Sequence, residues 1–260
     1  RLLYNCGECY YCRTGHANLC ERAQKKPVRE GLLIGPGGLC DYVIVNTGYL
    51  FKIPDTLSYE EASLTEPLAC VVHSVTKANI QLGEDVVVIG GGIMGQYHVM
   101  LAKRRGARVI MSEVDESRRA LARKLGADIT FNPMEKDPVE YVKSLTEGRG
   151  ADVVFNTTAI PSVVPQAIAM TGKAGRMIQY SSMHPDAPAP VSPQMLHGNE
   201  PILTGSISPD VHDFFTANRL LSGGIIDCKP LIAKKFPFEQ AQQAFEAAIV
   251  PGTFRVIITD

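Results

Sequence analysis

Asp85-Val-Val-Val-Ile-Gly90-Gly-Gly92-Ile-Met-Gly95 is the stretch that decides the fold. Four consecutive β-formers, three of them valines, run straight into a glycine cluster, and a helical pattern follows at once. The order is strand, tight turn, helix. Gly90-x-Gly92-x-x-Gly95 supplies a turn that glycine makes easily, bare backbone for a pyrophosphate to approach, and close packing of helix on strand. The phosphates would rest on the N–H groups at the helix start, around Ile93 and Met94. Ile93, Tyr97 and Leu101 recur at helical spacing, Lys103, Arg104 and Arg105 fill the last turn, and Gly106 stops the helix.

A second strand, Arg108-Val-Ile-Met-Ser112, ends on Glu113, eighteen residues beyond Gly95. A carboxylate there accepts hydrogen bonds from both adenosine ribose hydroxyls and repels a 2′-phosphate, which points to NAD rather than NADP. Arg118 and Arg119 pull the other way, because a guanidinium near the ribose accommodates that phosphate. Arg118 is placed among the cofactor contacts. The bland alternative is that Glu113 merely opens the helix expected from Asp115 to Leu125.

At 260 residues the chain can bury a large core and holds one or two domains. With 26 basic against 27 acidic residues it carries no electrostatic footprint for nucleic acid or an anionic membrane. No apolar run reaches a spanning length. The first residue is Arg1 rather than Met, so the chain is expected to be processed or to lack its beginning. Of seven cysteines, four crowd into fifteen residues and Cys40, Cys70 and Cys228 stand alone, which is no secreted disulfide framework. A cytoplasmic protein is expected.

The crowded four are Cys6, Cys9, Cys12 and Cys20, with spacings of two, two and seven residues. Four thiolates converging from one short loop meet the demand of a tetrahedral structural zinc site with no open position. An iron–sulfur cluster shares the first two spacings, but the fourth cysteine comes too late and no proline follows it. His16 lies inside the loop and is read as a surface residue.

Cys6 to Cys20, then Gly37-Gly-Leu-Cys-Asp-Tyr-Val43, Lys52-Ile-Pro54 and Glu66-Pro-Leu-Ala69 ahead of the glycine loop, resembles the zinc-dependent medium-chain alcohol dehydrogenases. The likeness is to their polyol (sorbitol) and threonine dehydrogenase branch, and it runs to the C-terminal Phe254-Arg-Val-Ile-Ile258 strand. The resemblance implies a Rossmann doubly wound parallel sheet plus the remnant of a mostly-β GroES-like catalytic domain with a zinc lobe. It divides the chain into a partial catalytic domain at 1–67, an NAD-binding domain at 68–208 and a return to the catalytic domain at 209–260. It makes Glu66 part of a catalytic zinc site, as ligand or one water away; carboxylate oxygen suits either role. Read without the family, an acidic residue there is a helix-dipole partner. The family supplies a cysteine and a His-Glu pair to that zinc from a segment this chain does not contain. His73, seven residues past Glu66, reads as packed between elements. By themselves these residues are not expected to turn over an alcohol.

Between lobe and glycine loop, short strands are expected at 41–45 and 50–53, a helix opening on the Ser58–Glu61 capping box, and another near Glu66-Pro67. Beyond Glu113 the alternation continues with strands at 129–131, 153–156, 177–180 and 202–205 and helices at 139–146, 162–170 and 210–221. The nucleotide would lie across the carboxyl ends, where Gly90, Glu113, Asn156 and Tyr180 set the crevice. Ala159 and Ser181 stand where the family carries glycine. By the same resemblance Tyr180 and Ser181 are candidates for holding the nicotinamide carboxamide, and Arg255 for reaching the pyrophosphate. The alternative for Arg255 is a solvated charge on an edge strand. Pro185-Asp-Ala-Pro-Ala-Pro190 reads as a stiff connector. The strand at 201–206 resembles one that pairs across the family's twofold axis, so a homodimer or homotetramer is expected. A closing helix at 238–248 precedes the last strand.

The leading reading is an NAD-dependent oxidoreductase acting on a secondary alcohol or polyol, with zinc as Lewis acid at a completed site. The alternative is a non-catalytic module that binds NAD and structural zinc. A zinc-free NADPH reductase is disfavoured by the cysteine lobe and Glu113.

Overall fold

The computed structural model describes residues 5–23, 42 and 47–259. In chain order its helices are α1 (Tyr10–Arg13), α2 (Tyr59–Ala62), α3 (Thr65–Ala78), α4 (Ile93–Arg104), α5 (Glu116–Leu125), α6 (Pro138–Leu145), α7 (Val163–Met170), α8 (Pro193–Asn199), α9 (Val211–Ser222) and α10 (Ala241–Ala248). The strands are β1 (Asp85–Ile89), β2 (Arg108–Ser112), β3 (Ile129–Phe131), β4 (Ala151–Asn156), β5 (Thr171–Gln179), β6 (Ile202–Gly205), β7 (Ile232–Pro237) and β8 (Arg255–Thr259). Two compact units result: Arg1–His73 with Ile207–Asp227, and Ser74–Ser206 with Cys228–Asp260. The stretch 209–260 thus contributes to both.

In the second unit six parallel strands lie in the order β3-β2-β1-β4-β5-β6, the order of two mononucleotide-binding halves meeting at β1 and β4. Strands buried on both faces must be apolar throughout, as Val86 to Ile89 are. Successive side chains part to opposite faces. Val87, Ile89, Ile110, Phe131, Val154 and Met177 pack with Val142 of α6 and Ala167 and Met170 of α7. On the other face Phe155 meets His98 of α4, with ring centroids 4.5 Å apart. A separate parallel pair, β7 and β8, packs against α10.

In the first unit the Ser58 capping box forms as expected, Ser58 Oγ accepting from the Glu61 N–H at 3.2 Å. No strand forms at 50–53. Instead Phe51 stacks on Phe214 at 5.2 Å and the Lys52 carbonyl accepts from Asn218 Nδ2 at 3.1 Å, so side chains from α9 take the place of a ladder partner. Tyr180 falls just outside β5, because its N–H and that of Ser181 both turn to the Asn156 carbonyl. The Gly37–Val43 motif and the strand expected at 41–45 lie outside the described residues, Tyr42 apart. Among the described residues no helix is long and apolar enough to cross a membrane.

Candidate functional site

Each glycine of the loop meets a different constraint. Gly90 sits at φ +98°, a left-handed conformation, and its N–H donates to the Ser112 carbonyl at 2.9 Å. A Cβ on Gly95 would fall 1.8 Å from the Gly90 carbonyl oxygen, so strand and helix approach as closely as backbone allows. A Cβ on Gly92 would meet nothing within 4 Å. Gly92 caps α4 without a side-chain acceptor, which leaves the first-turn N–H groups of Ile93, Met94 and Gly95 directed outward as an anion cradle. A pyrophosphate fits there: open space over Gly92, donors behind it, positive dipole end beneath.

Glu113 is buried, and one of its oxygens accepts from the Gly91 N–H while the other accepts from the Asp115 N–H at 2.9 Å. Each carboxylate oxygen keeps a second lone pair for a ribose hydroxyl. Arg118 Nη1 stands 3.9 Å from the same carboxylate, and its guanidinium lies over the Phe254 ring at 6.0 Å. That contact brings the segment entering β8 beside Glu113. Arg119 is committed elsewhere, donating to the Glu113 and Val114 carbonyls at 2.6 and 2.8 Å and pairing with Glu116. Arg118 Nε and Arg255 Nε are buried without a hydrogen-bond partner, as an anionic ligand's neighbours would be in its absence. Gln96 was not singled out by the sequence. Its Nε2 donates to the carbonyls of Gly91 and Arg118, both at 3.0 Å, bracing the glycine loop against α5.

The crevice floor is tied across three strand ends. Thr157 Oγ1 donates to the Ile89 carbonyl at 2.8 Å, and Asn156 Nδ2 donates to Gln179 Oε1 at 3.0 Å. Asn156 Oδ1 accepts from the Thr158 N–H and hydroxyl at 3.1 and 2.8 Å. Tyr180 and Ser181 follow at the end of β5, half-buried, and Ala159 is exposed.

In the first unit the ligand sulfurs of Cys6, Cys9, Cys12 and Cys20 all lie within 4.8 Å of one another, with Cys6 and Cys12 at 3.9 Å. Zinc–sulfur bonds of about 2.3 Å give a tetrahedron with edges of about 3.8 Å, so the four fit one zinc ion. Backbone N–H groups are already aimed at the sulfurs: Glu8 and Cys9 at Cys6, Cys6 and Arg22 at Cys20. Amides of Cys12 and Glu21 bring the Cys9 thiol down to about 6, while burial pushes Cys12 up to about 11. His16 stays outside the cluster, its Nδ1 beside Thr14 Oγ1 at 3.3 Å.

Glu66 lies in the first turn of α3, half-buried, and one turn on Cys70 Sγ donates to its Oε1 at 3.5 Å. Burial and the Glu66 charge push the Cys70 thiol up to about 12. His73 is held through Nδ1 to Asp213 Oδ2 at 2.8 Å and accepts at Nε2 from Asn18 of the zinc lobe at 3.4 Å, a packing role. Among the described residues the cysteine lobe alone gathers three or more potential ligands. The described residues around Glu66 do not by themselves make a catalytic metal centre.

The zinc-binding dehydrogenase family model matches residues 94–223, and the alcohol dehydrogenase GroES-like domain model matches 1–55. The chain is 32% identical over 259 residues to D-arabitol-phosphate dehydrogenase of Enterococcus avium, covering 98% of this chain and 72% of that one. It is 30% identical over 247 residues to sorbitol dehydrogenase of Bacillus subtilis, covering 94% and 68%. Among solved structures, one assigned as a zinc-binding dehydrogenase from Sinorhizobium meliloti 1021, bound to NADP, superposes with a TM-score of 0.88 at 28% identity, covering 99% of this chain and 75% of that one.

Proposed function

We infer the activity from one premise: this chain belongs to the zinc-dependent medium-chain dehydrogenases. It is an oxidoreductase that moves a hydride between a secondary alcohol or polyol and a nicotinamide dinucleotide. The observation that carries the reading is the glycine cradle, with open space over Gly92 and the Glu113 carboxylate anchored to the Gly91 N–H beside it. When bound, the dinucleotide supplies the hydride acceptor. This chain's residues hold and orient it. The amides around Ile93, Met94 and Gly95 take the phosphates, Arg118 and Arg255 add positive charge, Glu113 takes the ribose hydroxyls, and Tyr180 and Ser181 flank the nicotinamide. Cys6, Cys9, Cys12 and Cys20 hold a structural zinc. Glu66 is this chain's contribution to a catalytic zinc, a site the described residues do not complete.

NAD is the cofactor rather than NADP. A carboxylate held at this place by two fixed N–H donors is oriented for the ribose hydroxyls and leaves no room for a 2′-phosphate. Titrating wild type and Glu113→Gln with both nucleotides tests this: wild type favours NAD by roughly a hundredfold, and the variant, which keeps the shape and loses the charge, closes most of the gap. Equal affinities in wild type would refute the assignment.

The reading also carries a cytoplasmic setting and a homodimer or homotetramer. β6 is an edge strand with Ile202 56% exposed, which supports pairing with a second copy; light scattering of the chain tests it. A second reading, a module that binds NAD and structural zinc without turnover, is favoured by the isolation of Glu66 among the described residues. Metal analysis separates them: about one zinc per chain supports the module, about two a completed catalytic centre.

A further inference from the structure

His98 is completely buried, and the hydride transfer proposed above makes no use of it. Its Nδ1 lies 2.8 Å from the Met94 carbonyl and its Nε2 2.9 Å from Ser74 Oγ. A carbonyl only accepts, so Nδ1 carries the proton, and the neutral ring then accepts the Ser74 hydroxyl at Nε2. Both ring nitrogens are occupied, which fixes the ring plane. Burying an imidazole where an aliphatic side chain fills the same volume is costly unless both nitrogens are satisfied, and here Ser74, itself fully buried, completes the pair.

The fixed ring touches two different parts of the crevice. Met94 belongs to the first turn of α4, where the pyrophosphate rests. On the other side Tyr180 stands edge-on to the imidazole, with centroids 4.8 Å apart and planes at 82°. Backbone bonds from Tyr180 and Ser181 to the Asn156 carbonyl hold the chain at this point, but they leave the half-buried Tyr180 ring to be set by its neighbours. Its edge-on contact with His98 joins it to the phosphate-binding helix.

We propose that His98 is a positioning residue that couples the two ends of the dinucleotide cleft: held by the Met94 carbonyl and the Ser74 hydroxyl, it sets the orientation of Tyr180 and with it the seat of the nicotinamide ring. The proposal rests on the dinucleotide reading given above. It assigns His98 no contact with the cofactor and no part in proton transfer.

ADP-ribose, which has the adenosine and both phosphates of NAD but no nicotinamide, separates the two ends. Calorimetric titration of wild type, His98→Leu and Ser74→Ala with NAD and with ADP-ribose is the experiment. NAD binds roughly tenfold more weakly to His98→Leu and about threefold more weakly to Ser74→Ala, while ADP-ribose changes by less than about twofold in both. Ser74→Ala keeps the ring and carries the test if His98→Leu does not fold. Parallel losses for both ligands, or no change in either, overturn the coupling and leave the dinucleotide site standing. A wild-type chain that binds neither ligand overturns the coupling and the dinucleotide reading together.

Discussion

Gly92 and Gly95 are chemically identical and are expected to fail differently. A methyl on Gly95 would strike the Gly90 carbonyl, a backbone atom that cannot yield, so Gly95→Ala lowers stability by about 3 kcal/mol or prevents folding. Gly92 has φ −67° and open space around its missing Cβ, so Gly92→Ala melts within about 0.5 kcal/mol of wild type. It nonetheless loses nucleotide affinity roughly tenfold or more, because the methyl occupies the cradle. Thermal melts paired with NAD titrations check both, and a Gly92→Ala chain that binds normally would contradict the assignment. His98 gives a pH dependence whose sign follows from burial, which lowers it to about 4 against an ordinary 6.5. The unfolded chain takes up its proton as the pH falls past 6.5, the native one only near 4. Stability is therefore whole above 6.5 and declines by roughly 3 kcal/mol down to pH 4. Urea midpoints across that range show the slope, and His98→Asn removes it. The left-handed turn at Gly90 and the close helix-to-strand approach at Gly95 were legible in the sequence because they are backbone geometry at fixed short spacing. Gln96 bracing two carbonyls, or Phe254 lying under Arg118, depends on which segments meet in space, and the local sequence carries no trace of it.

At the scale of elements, the zinc lobe is a few turns of chain whose thiolates converge without a core of their own to hold them. Stripping the metal with a strong chelator is expected to unfold the lobe, costing it several kcal/mol, and to open the segment around Arg13 and Arg22 to trypsin. Limited proteolysis before and after chelation reads this; identical digestion patterns would contradict a structural metal. Parallel strands of unbroken apolar character were readable because burial on both faces leaves no alternation to mistake. β5 begins six residues earlier than its apolar run, at Thr171, since Gly172 and Gly175 read as turn residues while their missing side chains admit the β4 backbone. β7 escaped notice because Lys234 and Lys235 interrupt its pattern. α8 opens on a local signal, Ser192 as cap before Pro193 in the first turn.

For the whole molecule, the crevice at the switch between β1 and β4 is where a doubly wound sheet receives its ligand. Motif order carried the family assignment further than any single motif. The most direct trial of the account is a calorimetric titration of the chain with NAD. One binding event per chain, abolished by Gly92→Val and much weaker with NADP, is the expected result. No heat with either nucleotide from well-folded protein would contradict it.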